Sequence, residues 1–165
     1  MDQTVATTEK SPNRLADITL DAKSLGRASA NIEHEREVAI FDLLDGNSFR
    51  VEGMDGGPYK LHLALVEERL LLSIALANSE GTLEHAVALT PLKRIVKDYF
   101  MICESYYEAV RTAPPARIQA IDVSRRALHD EGSTLLRDKL LPKIVVNEDT
   151  ARRLFTLICS LHWKG

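Results

Sequence analysis

With 165 residues, the chain is long enough for one domain with a real core. Its 45% apolar and 27% charged residues are ordinary for a soluble globular protein. A formal net charge of −3 supplies no global field for nucleic acid or acidic lipid, so binding of either would need a local patch.

Residues Met1 to Asn13 are polar and hold no apolar core for a signal peptide or anchor. The longest uncharged apolar run, Leu154 to Trp163, is far shorter than the ~20 residues of a membrane span. Cys103 and Cys159 both sit in apolar helical runs and read as buried thiols of a reducing compartment. The chain therefore reads as cytoplasmic, with no membrane partner.

The first fourteen residues lack periodicity and predict a disordered tail, 1–14. Leu15 to Leu20 predicts a short edge strand, and Ala22 to Ala30 a loop. Asn31 is a fair cap for a helix over Ile32 to Leu44, which ends at Gly46 and buries Ala39, Ile40, Leu43 and Leu44. Phe49 to Val51 reads as a short strand, and MDGGP at Met54 to Pro58 as a turn.

Tyr59 to Val66 alternates, with Tyr59, Leu61, Leu63 and Leu65 on one side. After a tight turn at Glu67 and Glu68, Arg69 to Ala77 carries Leu70, Leu72, Ile74 and Leu76 in phase. A second turn and a third strand, Thr82 to Leu89, complete an antiparallel meander. Its other face carries Ala64, Ser73, Ala75, Ala77, Ala86 and Ala88, small residues that let a second layer come close. At least part of that face is expected to be covered.

The rest of the chain is helical. Thr90 can cap a helix to Arg111, with Pro91 in its first turn. Leu92, Ile95, Val96, Tyr99, Ile102, Cys103, Tyr106 and Val110 form one broad apolar face. Pro114-Pro115 stops this helix and starts another, Ala116 to His129, whose thin stripe is Ile118, Ile121 and Leu128 with Arg125 in phase. Gly132 reads as a break, followed by a short helix from Thr134 to Leu141 capped by Ser133. Ile144 to Val146 reads as a short strand. The last helix is capped by Asn147 or Asp149, and its stretch LFTLICSLHW predicts burial nearly all round. Strands followed by helices give an α+β fold: an antiparallel meander of three to four strands with a C-terminal group of helices packed on it, as one domain over 15–165.

The segments IEHEREVAIFDLL, DGGPYKLHLALVEERL, LTPLKRIVKDYFMICESYYEAVR, AIDVSRRALHDEGSTLL and TARRLFTLICSLHWKG resemble a small alphaproteobacterial family, uncharacterised protein family two-six-two. The resemblance runs nearly continuously from Ile32 to Gly165. It implies a cytosolic bacterial protein and carries no activity, cofactor or catalytic residue.

Several motifs fail on their own chemistry. Gly56-Gly57-Pro58 precedes a strand and lacks a following Gly-Lys-Ser/Thr, so it is no phosphate loop. His34-Glu35 has Val38 where a zinc protease needs histidine. Cys159 and His162 are one helical turn apart, but no Cys-x-x-Cys supplies further ligands, so neither a metal nor a cofactor is expected. Cys103 sits among Ile102, Tyr99 and Tyr106, an apolar setting that does not make a nucleophile. His85 reads as half-buried near a sheet edge, and His62 as exposed.

Two surfaces remain. Phe100, Met101 and Tyr107 widen the apolar face of the 90–111 helix beyond what one packed face needs, which points to an unknown protein partner or self-association. Lys93, Arg94 and Lys97 oppose the helix macrodipole and would be at home beside an anion. Arg125, Arg126 and His129 could converge from the 124–133 segment, the arginines holding phosphate or carboxylate and His129 moving a proton. The bland alternatives are local ion pairs, Asp122 with Arg126 and the first-turn cations with Asp130 or Glu131. The negative total charge and single Trp163 argue against nucleic acid. An interaction or regulatory role through the helical surface is the first expectation. A binder of a small anion, with or without enzymatic activity, is the alternative.

Overall fold

The computed structural model describes residues 11–54, 56–77 and 81–162. Its strands are β1 (Leu15–Leu20), β2 (Phe49–Val51), β3 (Tyr59–Val66), β4 (Arg69–Leu76), β5 (Thr82–Ala88) and β6 (Ile144–Val146). Its helices are α1 (Ala22–Leu25), α2 (Ala30–Asp45), α3 (Thr90–Thr112), α4 (Pro115–Leu140) and α5 (Glu148–His162). The fold is α+β, and the meander β3–β4–β5 is its central sheet.

The meander forms where the sequence alternates. Leu61 pairs with Ile74, and Leu63 with Leu72, which puts one apolar row on the inner face. Glu67 and Glu68 make the two-residue hairpin turn with φ of 51° and 62°, the left-handed pair that a twisted hairpin favours. β1 joins as an edge strand parallel to β3, giving the order β1-β3-β4-β5. β2 and β6 form a separate antiparallel ladder with Arg50 opposite Val145, so the chain closes on a strand near its end.

The core lies between the inner face of the meander and α5. Leu61, Leu63, Leu70, Leu72, Ile74 and Val87 meet a helix in which Leu154, Phe155, Leu157, Ile158, Cys159 and Leu161 are all buried. Asn147 is the cap of α5, its side chain accepting from the Thr150 N–H at 2.9 Å. The buried Arg36 on α2 donates to the carbonyls of Ser160 and Gly26, each at 3.2 Å. A cation thus sits at the C-terminal end of α5, where unpaired carbonyls favour it.

Several expectations change. The 124–133 segment contains no break, because α4 runs unbroken through Gly132. The glycine is there for contact: a Cβ would overlap the ring of Phe155. α2 starts at Ala30 with Ser29 as its cap, not Asn31, and Glu33 reaches back to the Ala28 N–H at 2.8 Å to complete the start. Thr90 does not cap α3: Leu89 occupies that position and makes no side-chain cap bond. Residues 22–25 form a short helix inside the predicted loop, capped by Asp21.

The predicted tail divides. Residues 1–10 lie outside the described residues. Asn13 and Arg14 belong to the fold, accepting from the N–H groups of Phe49 and Tyr59 at 2.9 Å each. On the small-residue face of the meander, Ala86 and Ala88 are exposed, whereas Ala64, Ser73, Ala75 and Ala77 are half-buried. Alanine offers too little apolar area to demand a second layer.

Candidate interaction surface

α3 begins as a core element and ends as a surface one. Leu92 and Val96 in its first turns are fully packed. Beyond them the support thins to the half-buried Tyr99 and Phe100. All of residues 97–131 are described, and Ala109 alone among them is buried. Among the described residues, the outer part of α3 and the first half of α4 therefore pack mainly on each other, as a two-helix arm whose base, at Tyr99, Phe100 and His129, meets the core. The apolar face shifts along the way: Ala109 faces inward, while Val110, predicted for the core face, is 52% exposed.

Polar contacts order α4, and a cation–ring contact joins it to α3. Arg125 and Arg126 both bind Asp122. The Arg125 guanidinium lies over the Tyr106 ring, 4.7 Å from its centroid, which satisfies a cation in phase with an apolar stripe. At the base of the arm, His129 stands between Tyr99 and Phe155, with centroid distances of 5.4 and 5.1 Å.

Hydrogen bonding fixes what His129 can do. The Thr156 hydroxyl donates to the Arg152 carbonyl at 3.1 Å, so it accepts from Nε2–H of His129 at 2.8 Å. The Ser133 hydroxyl donates to the His129 carbonyl at 2.7 Å, and Nδ1 stands farther off at 3.4 Å. Burial, then the Arg152 charge, hold the imidazole below its ordinary pKa against the opposing pull of Asp130. A neutral, half-buried histidine with its N–H engaged is a structural wedge. Ser133 beside it has its proton committed elsewhere and is no activated nucleophile.

The basic residues are spread over the surface. Lys93 pairs with Glu68 on the β3–β4 turn. Arg94 and Lys97 are exposed further along α3. Asp130, one of the acids considered for them, binds Arg152 instead.

A groove runs between the start of α2, α3 and α5. It has a volume of about 410 Å³, and its walls include Ile32, Glu35, Phe100, Cys103, Tyr107 and Cys159. None of Lys93, Arg94, Lys97, Arg125, Arg126 or His129 lines it. Burial pushes both thiols above the ordinary range, which leaves them protonated and unreactive at neutral pH. The described residues contain no group of three His, Cys, Asp or Glu side chains able to hold a metal ion.

The apolar residues singled out on the 90–111 helix fall around this groove and beyond it. Phe100 is half-buried in the wall, Tyr107 stands on the rim at 70% exposed, and Met101 is 57% exposed on another side of the helix. Val123, at 61% exposed, adds an apolar residue on α4 that the thin stripe of that helix gave no reason to notice.

No helix among the described residues is long and apolar enough to cross a membrane. The model of an uncharacterised protein family, UPF0262, matches residues 12–164. A family protein from Azorhizobium caulinodans is 57% identical over 156 residues, covering 93% of this chain and 96% of its own length. One from Brucella canis is 56% identical over 93% of this chain and 97% of its own length. One from Xanthobacter autotrophicus is 54% identical over 92% and 93%. No solved structure matches the chain.

Proposed function

The chain belongs to the uncharacterised protein family UPF0262, and we propose that it acts as a cytosolic interaction or regulatory module whose docking surface is the α3–α4 arm. One observation carries this reading. A stretch of 35 residues, 97–131, is helical at both ends yet buries only Ala109, while Met101, Tyr107, Val110 and Val123 stay more than half exposed. Helices gain most of their stability from tertiary packing, so a projecting pair with large apolar side chains in water has surface left for a partner. The groove beside Tyr107 gives that surface a concave element.

The test is site-specific photocrosslinking in the native cell. A photoreactive residue at Tyr107, on the arm, is compared with one at Ala86, on the open face of the meander. Crosslinked adducts from position 107 and none from 86 are expected. Adducts from 86 alone, or from neither position, would remove the arm as the docking surface.

A further inference from the structure

The charges of α3 run against the dipole of their own helix. Arg94 and Lys97 lie toward its N-terminus, and Glu104 and Glu108 toward its C-terminus, the reverse of what an isolated helix favours. All four are exposed, so the core does not dictate them. Local pairing accounts for Glu108, which meets Arg111 at 3.1 Å. No ion pair engages Arg94, Lys97 or Glu104 among the described residues.

Their spacing carries the information. Positions 94, 97, 101, 104 and 108 advance by alternating steps of three and four, the spacing of a helix seam that faces another helix. At its centre is Met101, the exposed apolar residue of the stripe. Arg94 and Glu108 are equally far from it on either side, about 10 Å along the axis at 1.5 Å per residue. Lys97 and Glu104 flank it more closely. Turning the stripe end for end about Met101 therefore exchanges its cationic half for its anionic half.

We propose that α3 pairs antiparallel with α3 of a second copy of this chain, across a two-fold axis passing through Met101. The two-fold places Arg94 of each copy opposite Glu108 of the other, and Lys97 beside Glu104. Each contact occurs twice, as an isologous interface requires. Antiparallel packing also sets the two helix dipoles head to tail. The charge order that weakens α3 alone becomes complementary in the pair. With one apolar residue at its centre, the seam supports a reversible, salt-sensitive dimer rather than an obligate one. This inference rests on the arm being the docking surface and names its partner.

Sedimentation velocity over a concentration series, at low and high salt, tests it on the full chain. The wild type is expected to dimerise at low salt and dissociate as salt rises. Arg94→Glu and Glu108→Arg should each weaken self-association roughly tenfold, since each reverses a charge contact that occurs twice. The double variant Arg94→Glu/Glu108→Arg should recover it. An equimolar mixture of the two single variants should form a heterodimer that neither forms alone. Unchanged thermal melts will show that these exposed substitutions leave the fold intact. A strictly monomeric wild type, a dimer indifferent to both reversals, or a double variant that fails to recover would each overturn the proposal. Adducts from position 107 to other proteins, with a monomeric wild type, would remove the second copy while keeping the arm as the docking surface.

Discussion

The last helix of the body and the two helices of the arm are stabilised in opposite ways. In the body, α5 buries nearly every side chain from Leu154 to Leu161, with Thr156 the exception. In the arm, the paired parts of α3 and α4 fully bury only Ala109, with Ile102, Tyr106, Ile118, Ile121 and Leu128 half-buried; Arg125 on Tyr106 spans the two helices, while Asp122 holds its two arginines within α4. Burial of one large apolar side chain contributes about 1.5–3 kcal/mol, whereas an exposed ion pair contributes about 0–1 kcal/mol. The body is thus the stable unit. The arm is the part free to reorganise when something binds it.

The strongest way to break this contrast is at the hinge between the regions. Phe155 is fully buried and touches Tyr99, His129 and Gly132 from α5. Phe155→Ala is expected to cost about 3–5 kcal/mol in urea unfolding. Gly132→Ala pushes a methyl group into the same ring and should cost about 1–3 kcal/mol, less the helix propensity that alanine regains. In the Phe155→Ala background the added methyl has room. The double variant should then be no less stable than Phe155→Ala alone, and a fully additive loss would refute the contact.

Acid should loosen the same hinge. The folded pKa of His129 lies below its ordinary value of 6.5, so the unfolded chain takes up the proton first as pH falls. Stability attributable to this group is intact above about pH 6.5 and declines below it, down to the folded pKa. Asp21 and Glu68 are also lowered, but their ordinary values of 3.8 and 4.5 put their losses in more acidic solution. Thermal melts between pH 7 and pH 5.5 should therefore show a decline that His129→Gln flattens. The smallest effect belongs to the tip of the contrast. Tyr107→Ser on the exposed rim should move stability by no more than about 0.5 kcal/mol while reducing crosslinking from neighbouring arm positions.

What the sequence revealed and what it hid follow from the range of the forces involved. The meander is legible because strict alternation has one reading, and its Glu67-Glu68 turn sits where the alternation stops. The burial of α5 from Leu154 to Leu161, Thr156 excepted, is legible because a stretch without a charge has nowhere else to go; the end of that stretch, His162 and Trp163, lies outside the described side chains. Gly132 was misleading because a helix-ending glycine and a glycine under a ring look the same until Phe155 is in place. Val110 was misplaced because a straight helix drifts relative to its partner, so the inward position passes from the row of Leu92 and Val96 to Ala109. Arg36 was silent for a similar reason: its partners, the Gly26 and Ser160 carbonyls, include one from the far end of the chain. Among the candidate residues, the aromatic and sulfur side chains of α3 stood out by being too many for one face. The charges stood out by their order along the helix, a signal that composition alone does not carry.

The path of the chain has one further consequence. β6 crosses back to β2, α5 packs against α2, and α4 lies along α3, so the segments on either side of the arm's tip are interleaved throughout the body. The tip itself, at Thr112 to Pro115, is exposed apart from the half-buried Ala113. A single proteolytic cut there would leave two polypeptides still bound by a ladder, two helix interfaces and a shared core. The protein is in this sense divisible in sequence but not in space, and its two pieces form a natural pair for fragment complementation.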